Sequence, residues 1–274
     1  MLHGLGSGPL ELIRLAQEAR SDGFTVLIPS IDGYCFGSEL KTWPEWMAQV
    51  QSCYWSARER HETVSVVGLS MGATLAMCLA ENERPDACVF LASALAYDGW
   101  AIPWYRGLLR WAHWIPFHHR YVYRESEPFG VKNELTRAMV KRALELNHLS
   151  EVGGPTLSLG QLRQGQALID QVLAHLSDIE TPALFIHAID DESVHIRHAE
   201  AAYRRIESSD KKFLYLGDSY HMITADNERE TVHSQTLGFV KSRINLALGQ
   251  DVFEMPSVVS SELRRYLVKS GLKP

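Results

Sequence analysis

The chain has 274 residues, with 27 Lys and Arg against 33 Asp and Glu and a formal net charge of −6 at pH 7. That length can bury the core of one α/β domain with a sizeable insertion, or of two small domains. The absence of a basic stripe argues against nucleic acid as a partner. Four cysteines, Cys35, Cys53, Cys78 and Cys88, have neither zinc-ligand spacing nor the density of a disulfide scaffold, which points to buried free thiols in a reducing compartment. No apolar run approaches the ~20 residues needed to cross a bilayer, and no basic segment leads into an apolar core and cleavage site. A cytoplasmic protein without a transmembrane segment is the expectation.

Strand and helix signals alternate along the chain, the pattern of a mostly parallel sheet covered on both faces. Residues 9–20 read as a helix with Leu12, Leu15, Ala16 and Ala19 on one face and Gly23 just past its end. Residues 24–28 read as a short buried strand, residues 43–59 as a helix, and residues 63–67 as a strand running into a small-residue helix over 73–80. Further strands are expected over 87–92, 183–188 and 212–216, with a helix near 197–206 between the last two. A final helix over 226–246 begins with acidic residues, as the positive end of a helix dipole favours.

Residues 94–178 interrupt this rhythm and carry no convincing strand. Tryptophans crowd the stretch GWAIPWYRGLLRWAHWIPFHH, among them Trp100, Trp104 and Trp111. Two helical stripes follow: Leu135, Ala138, Met139, Ala143 and Leu146, then Leu162, Ile169, Val172, Leu173 and Leu176. A helical insertion between sheet strands is a natural lid, and the tryptophans suggest the wall of an apolar cavity; ordinary core packing would leave the same stripes. The tail 249–274 has the character of a loosely attached segment and carries no usable motif. The expected division is therefore a core of 1–93 and 179–248, a cap of 94–178 and a tail.

The stretch VVGLSMGATLA sets Ser70 between Gly68 and Gly72 at a strand-to-helix junction. Gly and Ser are ordinary turn residues. With a strand before and a helix after, however, G-x-S-x-G is the pattern of a nucleophile elbow, in which a strained turn leaves the serine oxygen free above the sheet. A serine hydroxyl needs a general base, and the base needs an orienting acid. The later strand ends supply both: Asp190 and Asp191 follow ALFIHA, and His221 follows the last strand. Asp also caps helices, so either aspartate could serve. His195 and His198 stand three apart without a third ligand pattern, and no metal is expected. Near the start, His3-Gly4-Leu5-Gly6-Ser7-Gly8 is a glycine-rich turn suited to offering the Leu5 amide to an oxyanion, with Met71 as the second donor. It lacks a P-loop lysine and the upstream strand of a dinucleotide site.

HGLGSGPLE, GLSMG, AIDDESV and GDSYHMITADNER resemble the α/β-hydrolase superfamily, most of all bacterial carboxylesterases and monoacylglycerol lipases with a helical cap. The resemblance covers about residues 1–100 and 180–246. It implies a D-x-x-V acid at Asp191, a histidine at His221 and ester hydrolysis through an acyl-enzyme with no metal or organic cofactor. The implied substrate is a small acyl ester of short to medium chain length, monoacylglycerols included. An acyltransferase, thioesterase or carbon–carbon hydrolase would use the same residues, and a non-catalytic ligand receptor could keep the fold. Such proteins place a hydrophobic strand directly before His-Gly and two more before it, so the N-terminal strands of the fold are missing here. Three explanations stay open: a start upstream, a truncated chain, or a sheet without a central strand, whose neighbours would be left unpaired.

Overall fold

The computed structural model describes residues 1–100, 122–124, 127–145 and 156–250. Trp104, Trp111 and the tail beyond residue 250 lie outside the described residues. The chain runs α1 (Ile13–Ser21), α2 (Trp43–Arg58), β1 (Ser65–Leu69), α3 (Met71–Glu83), β2 (Ala87–Leu91), β3 (Val122–Arg124), α4 (Glu134–Glu145), β4 (Thr156–Ser158), α5 (Leu159–His175), β5 (Ala183–Ala188), α6 (Arg197–Arg205), β6 (Lys211–Leu216) and α7 (Arg229–Ala247). Strands β1, β2, β5 and β6 form a parallel sheet in the order β1-β2-β5-β6. None of the helices among the described residues is long and apolar enough to cross a membrane.

Alternation of side chains along each strand feeds two cores. Val66, Cys88, Phe90, Ala183 and Phe185 point to the face covered by α2, α3, α5 and α6. Val67, Leu69, Val89, Leu91, Leu184 and Ile186 point to the face covered by α1 and α7. Helix α3 is buried from Met71 to Ala80, which explains its all-round small and apolar composition. The expected face of α1 is buried at Leu15, Ala16 and Ala19, with Leu12 in the 3₁₀ turn ahead of it.

Four expectations need correction. Residues 24–28 run without strand pairing; Phe24, Val26 and Ile28 do pack on the α1–α7 core. A cavity of about 420 Å³ separates this stretch from the outer edge of β1, so no backbone ladder can close between them. Ahead of the His3-Gly4 turn, Leu2 alone bridges β1 in parallel, through Leu2 N to Val67 O at 2.8 Å and Leu69 N to Leu2 O at 3.0 Å. Second, the insertion does contain strand: β3 and β4 pair antiparallel, each three residues long and so too short for an alternation signal. Third, the first stripe faces outward, with Leu135 and Met139 exposed and Val140 buried instead; periodicity gives a face without saying what covers it. Fourth, α7 starts at Arg229 because Asp226 is engaged elsewhere, accepting the N–H groups of Tyr220, Lys132 and Asn133. The second stripe is buried at Ile169, Val172 and Leu176 in the main core, where α5 packs on α3.

A very close backbone approach joins α3 to the N-terminal turn. A Cβ on Gly72 would stand 2.1 Å from Leu2 O and 2.5 Å from His3 O, against main chain that cannot rotate away. Gly72→Ala is therefore expected to destabilise by about 1–3 kcal/mol or more, as overpacking against rigid backbone does. Chemical denaturation of both proteins checks this, and an unchanged midpoint would show that the turn is loose.

Candidate active site

The site begins at the junction of β1 and α3. Ser70 has φ 57° and ψ −121°, a conformation that costs a residue with a side chain about 1–3 kcal/mol. It persists because the surroundings fix the turn: Ser70 N donates to Leu91 O at 2.9 Å, and Ser70 O accepts from Ala73 N at 3.0 Å and Ala94 N at 3.2 Å. A Cβ on Gly68 would meet Gly72 O at 2.2 Å, so both flanking glycines are steric requirements.

Two later loops bring the other groups to this serine. His221 Nε2 lies 2.8 Å from Ser70 Oγ, and His221 Nδ1 lies 2.8 Å from Asp191 Oδ2. Because Asp191 accepts at Nδ1, that nitrogen carries the proton and Nε2 faces the hydroxyl as an acceptor. Asp191 Oδ1 accepts Ser193 N at 2.9 Å and Val194 N at 2.8 Å, which locks the carboxylate in its own loop. Glu192 Oε2 accepts the main-chain N–H of His221 at 3.0 Å and so ties the acid loop to the histidine loop. Glu228 holds the other flank of the histidine loop, accepting from Gly217 N, Asp218 N and Ser219 Oγ.

The third part is the turn after Leu2. Gly4 N donates to the buried Glu11 carboxylate, Gly6 N to Tyr34 O at 2.9 Å and Ser7 N to Gly4 O at 3.3 Å. Tyr34 Oη donates to His3 O at 2.8 Å. Among the described residues, the Leu5 and Met71 amides have no acceptor, and free donors of this kind suit a developing oxyanion. Helix α5 closes against this turn: a Cβ on Gly165 would lie 3.0 Å from Met71 Cε and 3.3 Å from Leu5 Cδ2.

Burial sets the electrostatics. Burial alone would lower the pKa of His221, but the charge and hydrogen bond of Asp191, with Glu192 and Glu11 behind them, outweigh it and push it up to about 9. Burial would raise Asp191, yet His221 and His187 hold its carboxyl well below the usual carboxylate range. Glu192 is pushed up by burial and by the neighbouring Asp191 charge. An isolated histidine would titrate near ~6.5; the buried acid beside His221 moves it to the alkaline side of that range.

The candidate residues thus separate. Ser70, His221 and Asp191 form one hydrogen-bonded run, with Met71 next to Ser70 in the chain and Leu5 beside Gly165 together with Met71, whereas Asp190 is exposed with its carboxylate 3.8 Å from Lys132 Nζ. Trp100 is exposed beside the acid loop, its indole donating to Asp190 O at 3.4 Å and its ring edge-on to Tyr220. His198 pairs with Asp98 at 2.8 Å, and among the described residues no cluster of metal-ligating side chains forms. Sequence patterns did not reveal Glu11, Glu192 or His187. Glu192 carried a signal, as an acid adjoining the D-x-x-V aspartate; Glu11 and His187 carried none, since helix and strand patterns account for both.

A model of the family described as serine aminopeptidase, S33 (Hydrolase_4) matches residues 1–229. A thermostable monoacylglycerol lipase from a Bacillus species is 29% identical over 242 residues, spanning 87% of this chain and 88% of that protein. A carboxylesterase of Bacillus subtilis is 22% identical over 245 residues, spanning 88% of this chain and 91% of its own. The solved monoacylglycerol lipase of Paleococcus ferrophilus superposes with a TM-score of 0.72 at 15% identity, over 88% of this chain and 93% of that one. With the parallel sheet, the elbow and this family match together, the chain belongs to the serine aminopeptidase S33 family of α/β-hydrolases.

Proposed function

We propose that the protein hydrolyses carboxylic esters of short- to medium-chain acyl groups, monoacylglycerols among them, through an acyl-enzyme on Ser70. The hydrogen-bonded run from Asp191 through His221 to Ser70 carries this reading, at 2.8 Å in both steps. The monoacylglycerol lipase and carboxylesterase relatives support the ester class.

In this reaction Ser70 Oγ attacks the ester carbonyl carbon while His221 Nε2 takes its proton. The carbonyl oxygen becomes an oxyanion facing the Leu5 and Met71 amides. Collapse breaks the bond to the alcohol, which leaves with the proton from His221, and the acyl group stays on Ser70. Water then attacks the acyl carbon with His221 again as base, releasing the carboxylic acid and restoring the serine. Asp191 keeps the imidazole in the required tautomer and stabilises the imidazolium. No cofactor takes part. The segment 94–178 acts as a cap in this reading, with Trp100, Trp104 and Trp111 walling the acyl chain; packing of α5 against Leu5 and Met71 supports a cap that reaches the reacting centre.

Ser70→Ala is expected to lower kcat by at least about 10³-fold on a p-nitrophenyl ester series, since only binding and the oxyanion donors remain. An active alanine variant would remove the assignment. Asp191→Asn is expected to cost on the order of 10⁴-fold and Asp190→Asn less than about tenfold; rates on one ester rank the two, and the reverse order would move the role to Asp190. The pH profile follows from the raised His221 value. The protonated imidazole cannot act as base, so activity is lost as pH falls through that pKa. The acid limb of kcat/KM should therefore lie above the ordinary ~6.5, toward about 9. A limb at or below ~6.5 would show that Asp191 holds the imidazolium less strongly than its geometry implies.

A further inference from the structure

Asp191 Oδ2 has a second imidazole beside it. His187, near the end of β5, is fully buried, and its Nε2 lies 3.2 Å from Asp191 Oδ2 and 3.3 Å from Val194 O. Both neighbours of Nε2 are acceptors, so Nε2 carries a proton. His187 Nδ1 is buried with no partner among the described residues. A proton on Nδ1 would be an unpaired donor in a buried site, so the geometry places the ring proton on Nε2. The Asp191 carboxylate then accepts hydrogen bonds from Ser193 N, Val194 N and His221 Nδ1–H, and the positive end of the His187 Nε2–H dipole lies 3.2 Å from Oδ2.

We propose that His187 is a positioning residue for the acid: with its Nε2–H anchored on the Val194 carbonyl, the ring sets an N–H dipole beside Asp191 Oδ2 that holds the carboxylate toward His221 and limits the charge it offers. This deepens the triad reading and rests on it. Removing this N–H dipole leaves more of the carboxylate's charge to His221. The imidazolium of His221 is then stabilised further and its titration moves to higher pH. The other charged groups facing His221 are Glu192, from the same loop as Asp191, and Glu11, from the turn ahead of α1. Both stay in place when His187 is changed. Gln keeps a donor at the position of Nε2, whereas Leu keeps the apolar bulk alone.

The test is a titration of ¹⁵N-histidine-labelled full chain by NMR, needing no substrate, for the unmodified protein, His187→Leu and His187→Gln. In the unmodified protein, His187 should show its proton on Nε2 and none on Nδ1. His187→Leu should raise the His221 midpoint by about 0.5–1 pH unit, the scale of one hydrogen bond, and His187→Gln should restore it. With an ester, His187→Leu should lower kcat and leave KM unchanged. A His187 protonated at Nδ1 overturns the proposal, and this reading stands even if His187→Leu does not fold. So does an unmoved His221 midpoint in folded His187→Leu, or an equal shift in the Leu and Gln variants, which would mark a packing role alone. An unmodified protein that shows these titrations yet cleaves no ester would instead contradict the proposed function.

Discussion

The site depends on one constraint, the closure of main chain around Ser70. A residue with a side chain is held at φ 57°, and it can be held there only because Gly68 and Gly72 let three backbone segments meet. Leu2 and His3 carbonyls press on Gly72 from one side, and the start of α3 presses on Gly68 from the other. The same closure sets the oxyanion turn beside the serine, since the segment that abuts Gly72 continues directly into Leu5. Ser70 and the proposed oxyanion donors thus depend on a single packing contact, and a methyl group at its centre would disturb both.

The second organising feature is a buried acid pair that does two jobs. Asp191 and Glu192 are adjacent and almost fully buried, which isolated carboxylates do not tolerate. Asp191 remains charged because donors surround it, and its field keeps His221 basic. Glu192 is pushed up by burial and by the Asp191 charge, and its Oε2 serves as an acceptor for the His221 main chain. The loops after β5 and β6 are joined by this arrangement and by Glu228. The cost of burying acids is met locally by hydrogen bonds, and the geometry at Ser70 inherits the resulting rigidity.

Much of this was legible in the sequence because the chemistry there is local. Gly68-Leu69-Ser70-Met71-Gly72 encodes its own turn, and the chain order serine, aspartate, histidine fixes which strand ends carry the partners. The choice of Asp191 over Asp190 came from a motif resemblance, and the structure gives the physical difference: one carboxylate points into the protein and the other into solvent. What escaped was non-local. Residues 24–28 have strand composition, but a strand requires a neighbour at ladder distance, and composition cannot report one. The stripe of α4 is a good amphipathic pattern whose Leu135 and Met139 face outward. Glu11 and His187 look like an ordinary helix-start acid and an ordinary strand residue, and only the folded chain sets them beside Gly4 and Asp191.

In the proposed reaction the strained serine is a nucleophile activated by His221. The most direct measurement is covalent labelling of the whole protein with a fluorophosphonate, followed by peptide mass spectrometry to locate the adduct. A single adduct is expected on Ser70 at one equivalent per chain, with labelling lost in His221→Ala although that variant remains folded. An adduct on another residue, or undiminished labelling of Ser70 without His221, would contradict it.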